Sequence, residues 1–120
     1  MALERDERPW GSFEVLAEGD GYKVKRIEVK PRHRLSLQMH DNRSEHWVMV
    51  AGEALVTVGD REVMLRANEA VLIPPRTKHR VANNGNDAVV FVEVQYGSYL
   101  GEDDITRLED DYNRIPSALA

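Results

Sequence analysis

Gln38-Met39-His40-Asp41-Asn42-Arg43-Ser44-Glu45-His46-Trp47 is the stretch around which the rest of the chain arranges itself. Positions 38 to 46 gather two histidines with amide and carboxylate side chains between one alternating apolar segment and the next. In Arg34 to His40, Leu35, Leu37 and Met39 share one face of a strand, and Ser36, Gln38 and His40 share the other. A polar strand face usually meets water, but in a small barrel or sandwich it can line an interior cavity. Further on, Ile73-Pro74-Pro75-Arg76-Thr77-Lys78-His79-Arg80-Val81-Ala82-Asn83 places one more histidine between β-type segments. A fold that joins these two stretches would hold a divalent cation on side chains of neighbouring strands.

Working outward, the chain reads as eight or nine short strands separated by turn signals. Met1 to Glu7 is polar and expected to fray. Ser12 to Ala17 alternates, and Glu18-Gly19-Asp20-Gly21 turns the chain into a strand over Tyr22 to Lys30. There Tyr22 and Val24 share one phase while Ile27 and Val29 share the other, which predicts a bulge near Lys25-Arg26. Glu45 to Ala51 and Ala54 to Val58 are β-forming, and Gly59-Asp60 makes a tight hairpin into Arg61 to Leu65. Ala70 to Ile73, Lys78 to Ala82 and Ala88 to Tyr96 follow, the last with Glu93 and Gln95 in an otherwise apolar run. In Glu102 to Arg114 the spacing of Ile105, Leu108 and Tyr112 predicts a helix that Pro116 stops. Strands first and a helix last point to an antiparallel sandwich or barrel rather than a parallel α/β sheet.

Composition narrows the function classes. A chain of 120 residues has room for one domain and a real core. It has no cysteine, so a disulfide framework, a thiolate metal site and a cysteine nucleophile are excluded. A metal would be held by His, carboxylate or amide groups. The formal charge of -5 and the interspersed charges give no basic stripe for nucleic acid. The longest apolar run, Ala88 to Val92, is too short to span a membrane, and the charged start is unlike a signal peptide. A soluble, cytoplasmic protein is expected.

Two motifs carry a family resemblance. His40, Asn42, Glu45 and Gly52 fall on a pattern of His-x-His, Glu, six residues and Gly; Pro74, Arg76, His79 and Asn83 fall on Pro-x-Gly-x-x-His-x-x-x-Asn. The chain resembles the cupins on these residues. Longer strings resemble the C-terminal isomerase domain of type II mannose-6-phosphate isomerase/mannose-1-phosphate guanylyltransferase enzymes. They are Arg8-Pro9-Trp10-Gly11-Ser12, Tyr22 to Ile27, Leu35 to His40, Arg43 to Trp47 and Gly97 to Ile105. Asn42 stands where that family usually has a metal-binding His, and Arg76 where a turn Gly is usual. No Gly-rich nucleotidyltransferase stretch precedes these strings, so guanylyltransferase activity is not expected.

The resemblance implies one cupin domain over residues 1–120. It would be an all-β, double-stranded β-helix (jelly-roll) barrel with a core of about 10–97 and a C-terminal α-helix of about 102–114. It implies a metal-dependent, stand-alone mannose-6-phosphate isomerase serving GDP-mannose and polysaccharide synthesis. His40, Asn42, Glu45 and His79 would hold one divalent ion (Zn, Mn, Co, Ni or Fe). Glu93, Arg43 and Arg80 are the candidate catalytic residues, with Gln38, Arg76, Lys78 and Gln95 on the substrate, a phosphorylated sugar. Lys23 and Lys25 are further candidates for its phosphate. His46 reads as a packed structural histidine and His33 as solvated. A homodimer is expected, with no nucleic-acid or membrane partner. A non-catalytic sugar- or sugar-nucleotide-binding cupin, and another metal-dependent cupin enzyme such as a dioxygenase, remain open.

Overall fold

The structure, a computed structural model, describes residues 3–114. They form eleven strands, all paired antiparallel, and no helix. One sheet has six strands in the order β1 (Glu4–Arg8), β2 (Gly11–Gly19), β3 (Tyr22–Val29), β10 (Val89–Gly97), β5 (Arg43–Ala51) and β8 (Ala70–Ile73). The other has five: β11 (Thr106–Glu109), β4 (Leu37–Met39), β9 (His79–Ala82), β6 (Ala54–Val58) and β7 (Arg61–Leu65). Alternation decides which residues face the space between the sheets. Along β5, Arg43, Glu45, Trp47 and Met49 are buried, while His46, Val48 and Val50 are exposed.

The interior is graded along its length. At one end Trp47, Met49, Phe91, Val29, Val56 and Val81 form part of a single buried apolar cluster. At the other end the same inward strand positions carry His40, Arg43, Glu45, His79, Glu93 and Gln95, all buried. Polar groups facing inward survive burial only with partners, so this end is a network rather than a core.

Several expectations change here. The C-terminal helix is not formed: Thr106–Glu109 is a strand that pairs with the edge of β4. Acidic side chains that should open a helix bind elsewhere. The Asp104 carboxylate accepts from the Asp41 and Asn42 amides, and the Asp110 carboxylate accepts from the Arg114 amide and guanidinium. The local Asp110 bonds compete with helix, the Asp104 bonds tie the segment to a distant turn, and the edge of β4 offers backbone pairing instead. The stop at Pro116 lies outside the described residues. The polar start is also paired from Glu4, since Glu4–Arg8 pairs with β2, while residues 1–2 lie outside the described residues. The bulge lies not in β3 but opposite it, between Val15 and Ala17. β3 itself keeps one phase, with Lys25, Ile27 and Val29 inward. His46 is on the face opposite Glu45 but exposed, not packed.

Candidate metal centre

Three inward side chains meet at the polar end. His40 directly follows β4, Glu45 lies on β5 and His79 opens β9. One ligand atom from each lies within 4.8 Å of the others, and all three residues are buried. Their orientation is fixed from behind. His40 Nδ1 bonds the Asp104 carbonyl at 2.6 Å, and His79 Nδ1 bonds the Thr77 carbonyl at 2.9 Å. A carbonyl only accepts, so both rings carry their proton on Nδ1 and aim the Nε2 lone pair inward. Burial, with Arg43 and His79 beside it, lowers the His40 pKa to about 4, and burial lowers that of His79. Both imidazoles are therefore neutral at pH 7.

These neutral rings face the Glu45 carboxyl at 3.2 Å (His40) and 3.6 Å (His79), lone pairs toward oxygen. The contacts are not ion pairs, because neither ring is charged. Acceptors converging in this way call for a cation between them. His79 Nε2 has no hydrogen-bond partner, although it is buried. Two imidazoles and a carboxylate with outer-shell carbonyls fit a divalent transition metal. Arg43 serves part of the same need: its Nε donates to Glu45 Oε2 at 2.8 Å and its Nη2 to His40 Nε2 at 3.1 Å.

Beneath the triad, Trp47 Nε1 donates to both Glu45 and Glu93 at 3.1 Å, and Gln95 Nε2 donates to the second Glu93 oxygen at 2.8 Å. Glu93 is only 4% exposed. Burial and the neighbouring Glu45 push its pKa up to about 7, against the pull of Lys25 and Arg43. A carboxyl near neutrality at a cavity wall suits proton transfer. The cavity is about 320 Å³ and includes Gln38, His40, Arg43 and Glu93 in its lining.

The other expected residues lie elsewhere. Asn42 is exposed in a bend, because β4 stops at Met39 and the alternation that would pair it with His40 ends there. Arg80 does not line the cavity; its guanidinium binds the Leu35 carbonyl and Glu109. Arg76 is exposed in a turn at φ 55°, and Lys78 reaches Asp60 on the surface. Gln95 is fully buried behind Glu93 rather than on the cavity surface. Asn83, from the second motif, is structural: its amide donates to the Val29 and Asp87 carbonyls. His33 is half-buried against Tyr112.

Sequence reasoning passed over much of the mouth. Arg8, Trp10, Glu102, Ile105, Arg107 and Arg114 also line it. Most lie on the segment expected to be helical, which instead crosses the opening. The signal that could have found it was the cluster of acids at 102 to 104, of which Glu102 meets Lys25 and Asp104 meets the Asp41 and Asn42 amides on distant segments.

The family described as Mannose-6-phosphate isomerase C-terminal matches residues 3–110. The chain belongs to this family. The alginate biosynthesis protein AlgA of Pseudomonas aeruginosa is 52% identical over 107 residues, covering 89% of this chain and 22% of that protein. The mannose-1-phosphate guanylyltransferase ManC of Salmonella typhimurium is 47% identical over 108 residues, covering 90% of this chain and 22% of ManC. Among solved structures, the capsular polysaccharide assembling protein CapF of Staphylococcus aureus superimposes with a TM-score of 0.76. It is 20% identical and is matched over 91% of this chain and 33% of its own. A Klebsiella pneumoniae protein with a double-stranded β-helix domain has a TM-score of 0.69 at 22% identity, over 80% of this chain and 77% of that one. These likenesses give the cupin fold.

The family member thus spans under a quarter of the length of these curated relatives. That corrects the expectation of a stand-alone mannose-6-phosphate isomerase to which guanylyltransferase is foreign. The matched segment is one small domain of larger proteins, and one of those carries a guanylyltransferase name.

Proposed function

We propose that this chain is the isomerase module of a larger sugar-phosphate system, working in the cytoplasm beside a mannose-1-phosphate guanylyltransferase activity of the kind its relatives are named for. Its substrate is a phosphorylated hexose, and its reaction is aldose–ketose interconversion within GDP-mannose and polysaccharide synthesis. The observation that supports this reading most is the buried His40–Glu45–His79 triad, whose His40 lines the same cavity as buried Glu93 in the isomerase-family fold.

The triad would hold one divalent ion, with Zn, Mn, Co, Ni and Fe all compatible with its donors, and a bound ion supplies polarisation of a substrate oxygen. Glu93 is the base that takes the proton from the carbon beside the carbonyl and returns it to its neighbour. Trp47 and Gln95 hold that carboxyl still. Arg43 orients His40 and Glu45, and Gln38 is placed to meet sugar hydroxyls. Arg8, Arg43, Arg107 and Arg114 outnumber Glu102 and Asp103 around the cavity, which suits an anionic substrate. Two copies pair as a homodimer through the exposed apolar face of the larger sheet.

A second reading has one observation in its favour. The Arg43 guanidinium bonds both His40 Nε2 and Glu45 Oε2, so it meets part of the triad's need for positive charge. The domain would then bind a sugar phosphate without turning it over. Protein supplied with Zn, Mn or Co should interconvert mannose 6-phosphate and fructose 6-phosphate, and chelator should abolish this. Binding without turnover under every ion, unchanged by chelator, moves the conclusion to the second reading.

A further inference from the structure

Lys25 breaks the pattern of its strand. β3 turns Val24 outward and puts Lys25 inward, in phase with Ile27 and Val29. An apolar side chain and a charged one have exchanged the faces that burial alone would give them. Lys25 is 4% exposed, and its Nζ stands 4.0 Å above the Phe13 ring. A buried ammonium is costly unless well paired, and an apolar side chain of similar length is often neutral or better in its place. Conflicts of this kind between local rule and burial gather at functional sites.

The register gives the conflict a chemical meaning. Lys25 on β3 is directly opposite Glu93 on β10, so the two side chains stand abreast and both line the cavity. The one hydrogen-bonding partner of its ammonium among the described residues is Glu102, at 2.8 Å. Glu102 belongs to the segment that crosses the mouth, and its side chain is 44% exposed. A substrate oxygen entering the cavity can take its place.

We infer that Lys25 is a catalytic residue that handles the oxygen-bound protons of the sugar while Glu93 handles the carbon-bound one. The inference rests on the isomerase reading above. Starting from the aldose, the Glu93 carboxylate takes the proton from C2. The C–H pair becomes the C1–C2 double bond, the carbonyl pair moves onto O1, and Lys25 gives O1 a proton. The neutral amine then takes the proton from the O2 hydroxyl and the C2 carbonyl forms. C1 takes the proton from the Glu93 carboxyl. Glu93 and Lys25 end as they began, and no other reactant is needed.

The competing role for Lys25 is to pin the mouth segment through Glu102. Four proteins separate the two roles: wild type, K25M, K25R and E102Q, each assayed with added metal on mannose 6-phosphate, with Tm measured alongside. K25M should lose about a hundredfold or more in kcat, the usual size of a general acid–base contribution, with KM within about threefold and Tm held or raised. K25R keeps the charge but cannot give up a proton at this pH, so it should lose at least about tenfold and covers the case in which K25M fails to fold. E102Q should lose far less than K25M. Full activity in K25M or K25R, or an E102Q loss equal to that of K25M, overturns the role. Wild-type protein that turns over nothing sinks the isomerase reading, and this inference with it; an active wild type with an active K25M sinks only the inference.

Discussion

Glu93 shows what burying one carboxylate costs a fold. Its carboxyl is buried and its pKa stands near 7, well above the usual value near 4.5. Between those two values the folded state holds a proton that the unfolded state has released. Glu93 therefore does not weaken the fold below about pH 4.5, weakens it progressively between there and about pH 7, and carries the full loss above that. E93Q keeps the shape without the charge. In metal-free protein, the Tm of E93Q minus that of wild type should be small at pH 5 and clearly positive at pH 8. A difference that is flat across this range would mean that Glu93 is not held protonated by its surroundings. Glu93 was legible in the sequence, as a carboxylate in a strongly apolar strand. Asn42 entered the candidate ligand set through the motif, and the structure leaves it exposed three residues beyond the end of β4.

At the scale of elements, most of the central strands could be read from alternation and turn chemistry, and Ala54–Val58, Arg61–Leu65 and Ala70–Ile73 agree to the residue. Two of the four edge strands could not. β1 and β11 are polar segments whose structure comes from pairing with β2 and β4, and an unpaired edge leaves no periodic signature in the segment that covers it. The helical spacing of Ile105, Leu108 and Tyr112 was real but was outweighed by Asp104 and Asp110 bonding to nearby backbone. The start of β5, which delivers Arg43 and Glu45, depends on a close approach to β10. A Cβ on Gly97 would lie 2.1 Å from the Asn42 carbonyl oxygen and 2.8 Å from the Arg43 Cα. Backbone cannot yield as a side-chain tip can, so G97A should destabilise by about 1–3 kcal/mol, as overpacking does, and weaken metal binding with it. Denaturant unfolding and a metal titration on the same variant test this. Unchanged values in both would show that the approach is loose.

For the whole molecule, the larger sheet has two unlike faces. Its inner face builds the network and the core, while its outer face exposes Val48, Val50, Leu72, Val94 and Tyr96, the last at 70%. The register sets Val94, His46 and Leu72 side by side across β10, β5 and β8. These exposed apolar side chains, with His46 among them, lie on the face turned away from the cavity. Pairing of two copies through it predicts that L72K shifts the sedimentation coefficient from dimer to monomer. A monomeric wild type, or an L72K variant that stays dimeric, rules out pairing through this face.

The proposed chemistry depends on His40, Glu45 and His79 sharing one cation. Titration of the chelator-treated protein with Co²⁺, followed by its visible absorption, tests this most directly, on wild type, H79A and E45Q. The predicted result is one equivalent bound with a spectrum of nitrogen and oxygen ligation, and affinity lower by about tenfold or more in each variant. Absence of binding, or binding that neither substitution weakens, would contradict the site.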